Sequence, residues 1–372
     1  MSTSTAITGI INQYSGGDYD NLTAGEKIEV FKNISSITYK TIITDLLAGI
    51  KTLGWDAFYV SPTEFGNGYR VLTAGNGVAE DFSDNPTQRF PATRNLLNDY
   101  EALITDRAQL RTRITTNEAE SSFYFKNAEG LGQYLEMCRR RIYDTFLQVF
   151  QDTMIRMFGS DSWPIKNCVD ADNYLALIDT VKGNIKNSIS VTATDLKDQV
   201  TFLLKFVEFV TSLTTDQFNI GDDGTDTSFV PAFNNVREKD LVLIMSSWDS
   251  IDFTTQTAAN TYHKELFKWP NVTIMQLPIP SGTFYLLDKN AIQISPNKNA
   301  TYTDFYPNTL DTDLFHHMWF YMGIYKYAFG LKINFVTSGG KSMSDIFTEM
   351  QTRYTATSTT SDTTSSTKSK SK

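Results

Sequence analysis

Three histidines and two cysteines are the residues of this 372-residue chain best suited to hold a metal or act as a nucleophile. A zinc site draws on closely spaced His and Cys ligands, often paired along one helix face. His263 and the adjacent pair His316 and His317 have no histidine four residues away and no Cys or Asp at zinc-ligand spacing. Neighbouring side chains on a strand point to opposite faces, so the His316-His317 pair reads as one packed ring and one solvated ring. Cys138 falls on an apolar stripe and reads as a small core residue, since nothing nearby in sequence stabilises a thiolate. Gly339-Gly-Lys-Ser342 is similar to the end of a phosphate-binding loop, but Phe335 stands where that motif needs its first glycine. Gly221-Asp-Asp-Gly-Thr-Asp226 lacks the alternating ligand order and closing glutamate of a calcium loop and reads as a surface turn. There is no Gly-x-Ser-x-Gly elbow, and Leu241–Met245 runs into Ser246-Ser-Trp-Asp-Ser-Ile251 rather than a glycine-rich dinucleotide loop. The reading is therefore not an enzyme, with no catalytic residues, no cofactor and no metal.

Composition narrows the classes further. The formal charge is −9 and the pI about 5.0, and no basic stripe is present, which argues against broad affinity for nucleic acid. With 41% apolar and 13% aromatic residues the chain can bury a core without staples. Its first lysine or arginine is Lys27, and no apolar h-region precedes it, so no signal peptide is expected. No apolar run approaches the ~20 residues that span a bilayer. The chain reads as cytosolic, Cys138 and Cys168 need not pair, and the sequons at Asn21, Asn33, Asn271 and Asn299 read as coincidental.

The elements follow from periodicity. Odd positions from Trp319 to Phe335 are mostly aromatic or aliphatic, a period of two over seventeen residues. Either one strand of about 55 Å runs through, bent at Gly323 and Gly330, or two ordinary strands meet at a kink. Leu131, Leu135, Cys138, Ile142, Phe146, Phe150, Met154 and Met157 form one stripe of a long helix that stops at Gly159. Glu136 with Arg140, and Arg140 with Asp144, are spaced to pair along its polar side. Residues 25–50 carry an amphipathic stripe of Ile28, Phe31, Ile34, Thr38, Ile42 and Leu46, one helix or two. Residues 56–125, with Gly66, Gly68, Gly75 and Gly77 close together and Pro86 and Pro91 bracketing the polar stretch Thr87-Gln-Arg-Phe90, read as an extended excursion. Within it, Leu110 to Ile114 alternate like a strand, while Leu96, Tyr100, Leu103, Arg107 and Leu110 fit a helix, so both remain open. Helices are expected over 172–182 and 194–213. A compact α+β unit then follows, with strand Leu241–Met245, helix Thr255–Phe267, and strands Val272–Leu277, Phe284–Leu287 and Ala291–Ile294. Thr355 to Lys372, nearly all Thr, Ser and Lys, is expected to be disordered.

Taken in order, Arg237-Glu-Lys-Asp-Leu-Val-Leu-Ile-Met245, Tyr262-His-Lys-Glu-Leu-Phe267, Val272–Leu277, Phe284–Ile294 and Trp319–Gly330 resemble major capsid proteins of tailed bacteriophages. Those proteins have the Hong Kong 97 type fold, and the likeness is greatest to the phi-29-group podoviruses. It is strongest over 237–337, moderate over 55–160, weak over 165–235 and absent in the tail. The implied fold class is α+β, with 1–55 an N-terminal arm, 56–125 an extended loop over a neighbouring subunit, and 126–164 a peripheral domain with a spine helix. Residues 165–295 are then the axial domain, 296–345 the peripheral return strands, and 346–372 a C-terminal segment. Some relatives carry an immunoglobulin-like C-terminal domain, which is not expected here. The first 55 residues also look too short for a built-in scaffolding domain.

The resemblance implies a shell protein that assembles as pentamers and hexamers into an icosahedral capsid around double-stranded DNA. It would be built in the host cytoplasm, with a separate scaffolding protein, a portal, and only weak non-specific contact with DNA. No membrane partner is implied. On this reading Phe65, Tyr69, Phe82 and Phe90 are buried by a neighbour, and Arg89, Arg94, Arg111 and Arg113 meet its acidic patches. Lys368, Lys370 and Lys372 touch DNA or only solubilise the tail. The alternatives are a nanocompartment shell of the same fold and a cytosolic α/β enzyme built on 236–295. A surface adhesin is disfavoured by the lack of a secretion signal.

Overall fold

The computed structural model describes residues 3–38, 58, 68–74, 99–117, 124–159, 162–166, 168, 172–183, 188–212, 237–261, 271–306, 308–309, 311–325, 328–349 and 351–352. Its helices include α1 (Thr3–Tyr14), α2 (Ala24–Thr38), α3 (Ala128–Phe158), α4 (Asp172–Gly183), α5 (Leu196–Ser212) and α6 (Ser247–Thr261). Its strands are β1 (Tyr69–Ala74), β2 (Asp99–Ile104), β3 (Arg107–Asn117), β4 (Ser188–Thr192), β5 (Leu241–Ser246), β6 (Thr273–Leu277), β7 (Thr283–Asp288), β8 (Ile292–Tyr306), β9 (Asp311–Ile324) and β10 (Gly330–Val336). The class is mixed helix and sheet, as expected.

Helix α3 is the 31-residue axis of the molecule. The side chain of Asn127 caps it, accepting from the Gly130 N–H at 2.8 Å, and at the far end the Gly159 N–H still reaches Ile155 O at 2.7 Å. Every member of the predicted stripe, Leu131 through Met157, is buried. On the polar side, Glu136 pairs with Arg139 at 2.9 Å, not with the expected Arg140, because the three-residue step brings that guanidinium alongside. Ile7 and Ile11 of α1 join the same core, although that helix has no charged residue to mark its polar side and was not anticipated. Helix α2 opens with a capping box: Glu26 accepts from the Thr23 N–H at 2.8 Å and from its hydroxyl at 2.7 Å. Phe31 and Ile34 are buried as expected, whereas Ile42 and Leu46 lie outside the described residues.

The antiparallel sheet β3-β9-β8 packs on α3. Leu314, His316, Met318, Phe320 and Met322 of β9 face the helix, with Phe150 and Phe320 at 5.1 Å and Phe146 and His316 at 5.5 Å between ring centroids. The second sheet, ordered β4-β10-β7-β5-β6, is covered on both faces. Val242, Ile244, Met275 and Leu287 join the α3 core, while Leu243, Leu286, Leu331 and Ile333 pack on Phe202, Phe206 and Val210 of α5 and Phe253 of α6. Double-sided burial explains why β5 reads as an unbroken apolar run.

The long period-two stretch resolves into two strands in different sheets. Strand β9 begins earlier, at Asp311, and ends at Ile324, and β10 begins at Gly330. Between them the chain leaves the ladder, with the Tyr325 N–H bonded to Ala291 O and the Ala328 N–H to Tyr325 O. Alternation persists because each strand buries every second residue, and it carries no mark of which sheet a strand joins. The same crossover separates β7 from β8. The short strand expected at Ala291–Ile294 is thus the start of a 15-residue strand in the α3 sheet. Helix α6 starts at Ser247 rather than Thr255, since the Ser246 hydroxyl accepts from the Asp249 N–H at 3.0 Å and caps it directly off β5. The Leu110–Ile114 ambiguity resolves as strand β3.

Candidate subunit-contact surface

Strands β1 and β2 form a two-stranded antiparallel ribbon in which Tyr69 lies opposite Ile104 and Leu72 opposite Glu101. Opposed residues share a face, so the ribbon has two distinct sides. On the inner side Val71 and Ala102 pack on the core, and Ile104 is buried over Gly323 of β9. A Cβ on Gly323 would stand 2.7 Å from Ile104 Cγ2, so only glycine lets the ribbon seat this closely. On the outer side Leu72 and Leu103 are 59% and 60% exposed, flanked by an Arg70–Glu101 pair at 2.8 Å. Tyr69 is half-buried at the root, and burial raises its phenol pKa.

Arg111 and Arg113 lie on the outward face of the α3 sheet, where β3 alternates exposed arginines with buried Ala108 and Leu110. Arg113 engages its own chain: its guanidinium meets the fully buried Asp313 carboxylate at 2.6 Å, which raises its pKa further, and Thr115 donates to the same carboxylate. Arg111 sits 5.3 Å from the Phe315 ring centroid. Beside them Arg107 and Lys298 hold the Trp319 ring at 4.8 and 4.7 Å. Neither Arg107, which the sequence offered only as a member of a helical stripe, nor Lys298 was expected at a contact, although Arg107, Arg111 and Arg113 share one parity that becomes a face once β3 is known to be a strand. Leu72 and Leu103 left no signal, because the pattern of a ribbon does not say which side the core covers.

Phe65, Phe82, Phe90, Arg89 and Arg94 lie outside the described residues, as do His263, residues 221–226 and the Ser/Thr/Lys tail. His316 and His317 divide as expected. His316 is fully buried, its Nδ1 3.0 Å from the Thr301 hydroxyl, and burial followed by the neighbouring His317 pulls its pKa down to about 4. His317 faces outward, its pKa lowered by burial and then by Arg111 and Lys298. Cys138 is buried in the core. Among the described residues no cluster of His, Cys, Asp and Glu is placed to hold a metal ion, and no helix is long and apolar enough to cross a membrane.

The sequence matches no protein-family model, and no curated protein is similar to it by sequence. Solved structures that resemble it in shape include a capsid of Staphylococcus phage Andhra, at 12% identity and TM-score 0.46 over 74% of this chain and 83% of that one. A capsid of cyanophage P-SCSP1u matches at 11% identity and TM-score 0.46 over 76% and 88%. A chain from a structure of the head fiber and inner core protein of bacteriophage P68 matches at 11% identity and TM-score 0.48 over 75% and 83%. Likenesses of this strength carry no weight for function, and the reading below rests on the chain's own residues and fold.

Proposed function

We propose that this chain is the major capsid protein of a tailed bacteriophage, with the Hong Kong 97 type fold of the phi-29-group podoviruses. Copies assemble as pentamers and hexamers into an icosahedral shell around double-stranded DNA, in the host cytoplasm, with a separate scaffolding protein and a portal. In this reading α3 is the spine of the peripheral domain, the β3-β9-β8 sheet lies along it, and the five-stranded sheet with α5 and α6 forms the axial domain. The ladder puts β10 in that second sheet, although its residues fall within the 296–345 return.

The β1–β2 ribbon is the observation that carries the proposal. A two-stranded ribbon is marginal on its own, and this one roots one face in the core while presenting Leu72 and Leu103 to solvent. Burying two leucines against a neighbour would contribute about 1.5–3 kcal/mol each, a gain repeated at every copy of a ring. The remaining contact residues, Phe65, Tyr69, Phe82, Phe90, Arg89, Arg94, Arg111 and Arg113, belong to the same proposal.

Negative-stain electron microscopy with mass determination, on the protein alone and with a scaffolding protein, tests it. Closed shells or rings of five and six copies support the reading. A stable monodisperse monomer under both conditions refutes it and returns the α/β enzyme on 236–295. Shells isolated with an enzyme cargo instead of DNA would favour the nanocompartment.

A further inference from the structure

The outward face of the α3 sheet carries, beside the paired Arg113, positive charge that no carboxylate of the described residues neutralises. Arg107, Arg111 and Lys298 form no ion pair with a carboxylate among the described residues. Each instead lies over an aromatic ring, with Trp319 held between Arg107 and Lys298 and Phe315 beneath Arg111. Register places the three cations on one side of the sheet, since Gln109 and Lys298 both stand opposite Trp319, and Arg111 opposite His317. Arg107 and Arg111 are four residues apart, about 13 Å along β3, and Lys298 lies two strands over, about 10 Å away. This is a flat patch of ligand size on a chain whose net charge is −9. The depressed pKa of His317, to which Arg111 and Lys298 contribute after burial, reports the same local positive field.

We propose that this cation-aromatic face, Arg107, Arg111 and Lys298 over Trp319 and Phe315, is a docking surface for a carboxylate-bearing segment of a second copy of this chain. The inference rests on the self-assembly proposed above. Charge selects the occupant. The chain carries 42 acidic against 33 basic residues, so a neighbouring copy offers mostly carboxylates. Guanidinium and ammonium groups already held over rings are pre-positioned to receive them, with less side-chain freedom left to lose. Nucleic acid fits less well. Proteins that hold single strands stack bases on open aromatic faces, and the Trp319 ring already carries two cations within 5 Å of its centroid. A duplex, with a charge about every 1.7 Å, would also meet the repulsion of the whole acidic molecule.

The test uses the full-length protein. A benzophenone side chain replaces Tyr302, which is 54% exposed and packs edge-on to His317 on the same face. Irradiated assemblies should give a cross-link to an acidic peptide of a second copy. In parallel the triple variant Arg107→Gln, Arg111→Gln, Lys298→Gln should raise the concentration needed for assembly at least tenfold and flatten its salt dependence. Shells that form at the wild-type threshold with no cross-link between copies overturn this docking surface while leaving the shell reading intact. A cross-link to DNA, with duplex retention lost in the variant and assembly unchanged, assigns the face to nucleic acid and likewise overturns it. A wild-type protein that neither assembles nor cross-links refutes both readings.

Discussion

His316 is the residue whose environment most clearly sets a property of the whole fold. Buried between Phe146 and the Thr301 hydroxyl, it stays neutral in the folded chain down to about pH 4, whereas an unfolded histidine takes its proton near 6.5. Above 6.5 both states hold the ring neutral and the full stability is present. As pH falls from 6.5 toward 4, the unfolded chain gains a proton that the folded chain refuses, and stability is lost across that window. The gap corresponds to roughly 3 kcal/mol. Urea unfolding of wild type and His316→Gln at pH 7 and pH 4.5 isolates the effect: wild type should lose more than the variant, and equal losses would exclude it. Gly323 makes a steric counterpart. Gly323→Val places a side chain where Ile104 already sits, so the ribbon must lift or Ile104 leave its rotamer, at about 1–3 kcal/mol in thermal unfolding. Pairing it with Ile104→Ala, which opens that space, should recover part of the loss, and additive losses would place the strain elsewhere.

At the scale of elements, the β1–β2 ribbon and the β3-β9-β8 sheet behave differently. Each has core contact on one side only, the sheet on α3 and the ribbon through Val71 and Ala102, but the ribbon leaves leucines outward and the sheet leaves cations. Leu72→Ser with Leu103→Ser removes exposed apolar surface and should leave the melting of the isolated chain nearly unchanged, within about 0.5 kcal/mol. The same variant should lower the yield of shells in electron microscopy, since the lost contact recurs at every copy. Unchanged yield would show that the outer face of the ribbon stays in solvent. The sheet face carries the opposite expectation, an electrostatic contact that weakens with salt, whereas the ribbon contact should not.

Among the described residues, those buried in the two clusters come from 7–58, 108–210 and 241–346, so a chain lacking residues 66–90 loses from them only the partly buried Val71 that packs on the first. Deletion of 66–90 should leave a folded protein with near wild-type far-UV circular dichroism that no longer closes into stable shells. Normal yield and stability after the deletion would remove the extended loop from the account of assembly.

Much of this architecture is written in local pattern. The stripe from Leu131 to Met157 specifies α3, because a 3.6-residue period of large apolar groups has no other low-energy burial, and Gly159 with Pro164 marks its end. Helices α4 and α5, strands β5 to β7 and the division of His316 from His317 followed from the same logic. Three things did not. The break between β9 and β10 was one of two open readings, because alternation is identical in either sheet, and only the bonding to Ala291 shows the chain changing partners. Helix α1 was hidden by a stretch of Ser, Thr and Ala whose helicity comes from docking Ile7 and Ile11 on α3. The exposed faces of the ribbon and of β3 were fixed only by tertiary packing: a strand's pattern records that its two sides differ, and the rest of the fold decides which side is covered. The sequence by itself thus determined most of the helices and strands, while the tertiary structure decided which leucines and cations remain for a neighbour, because exposure is set by contacts distant in the chain.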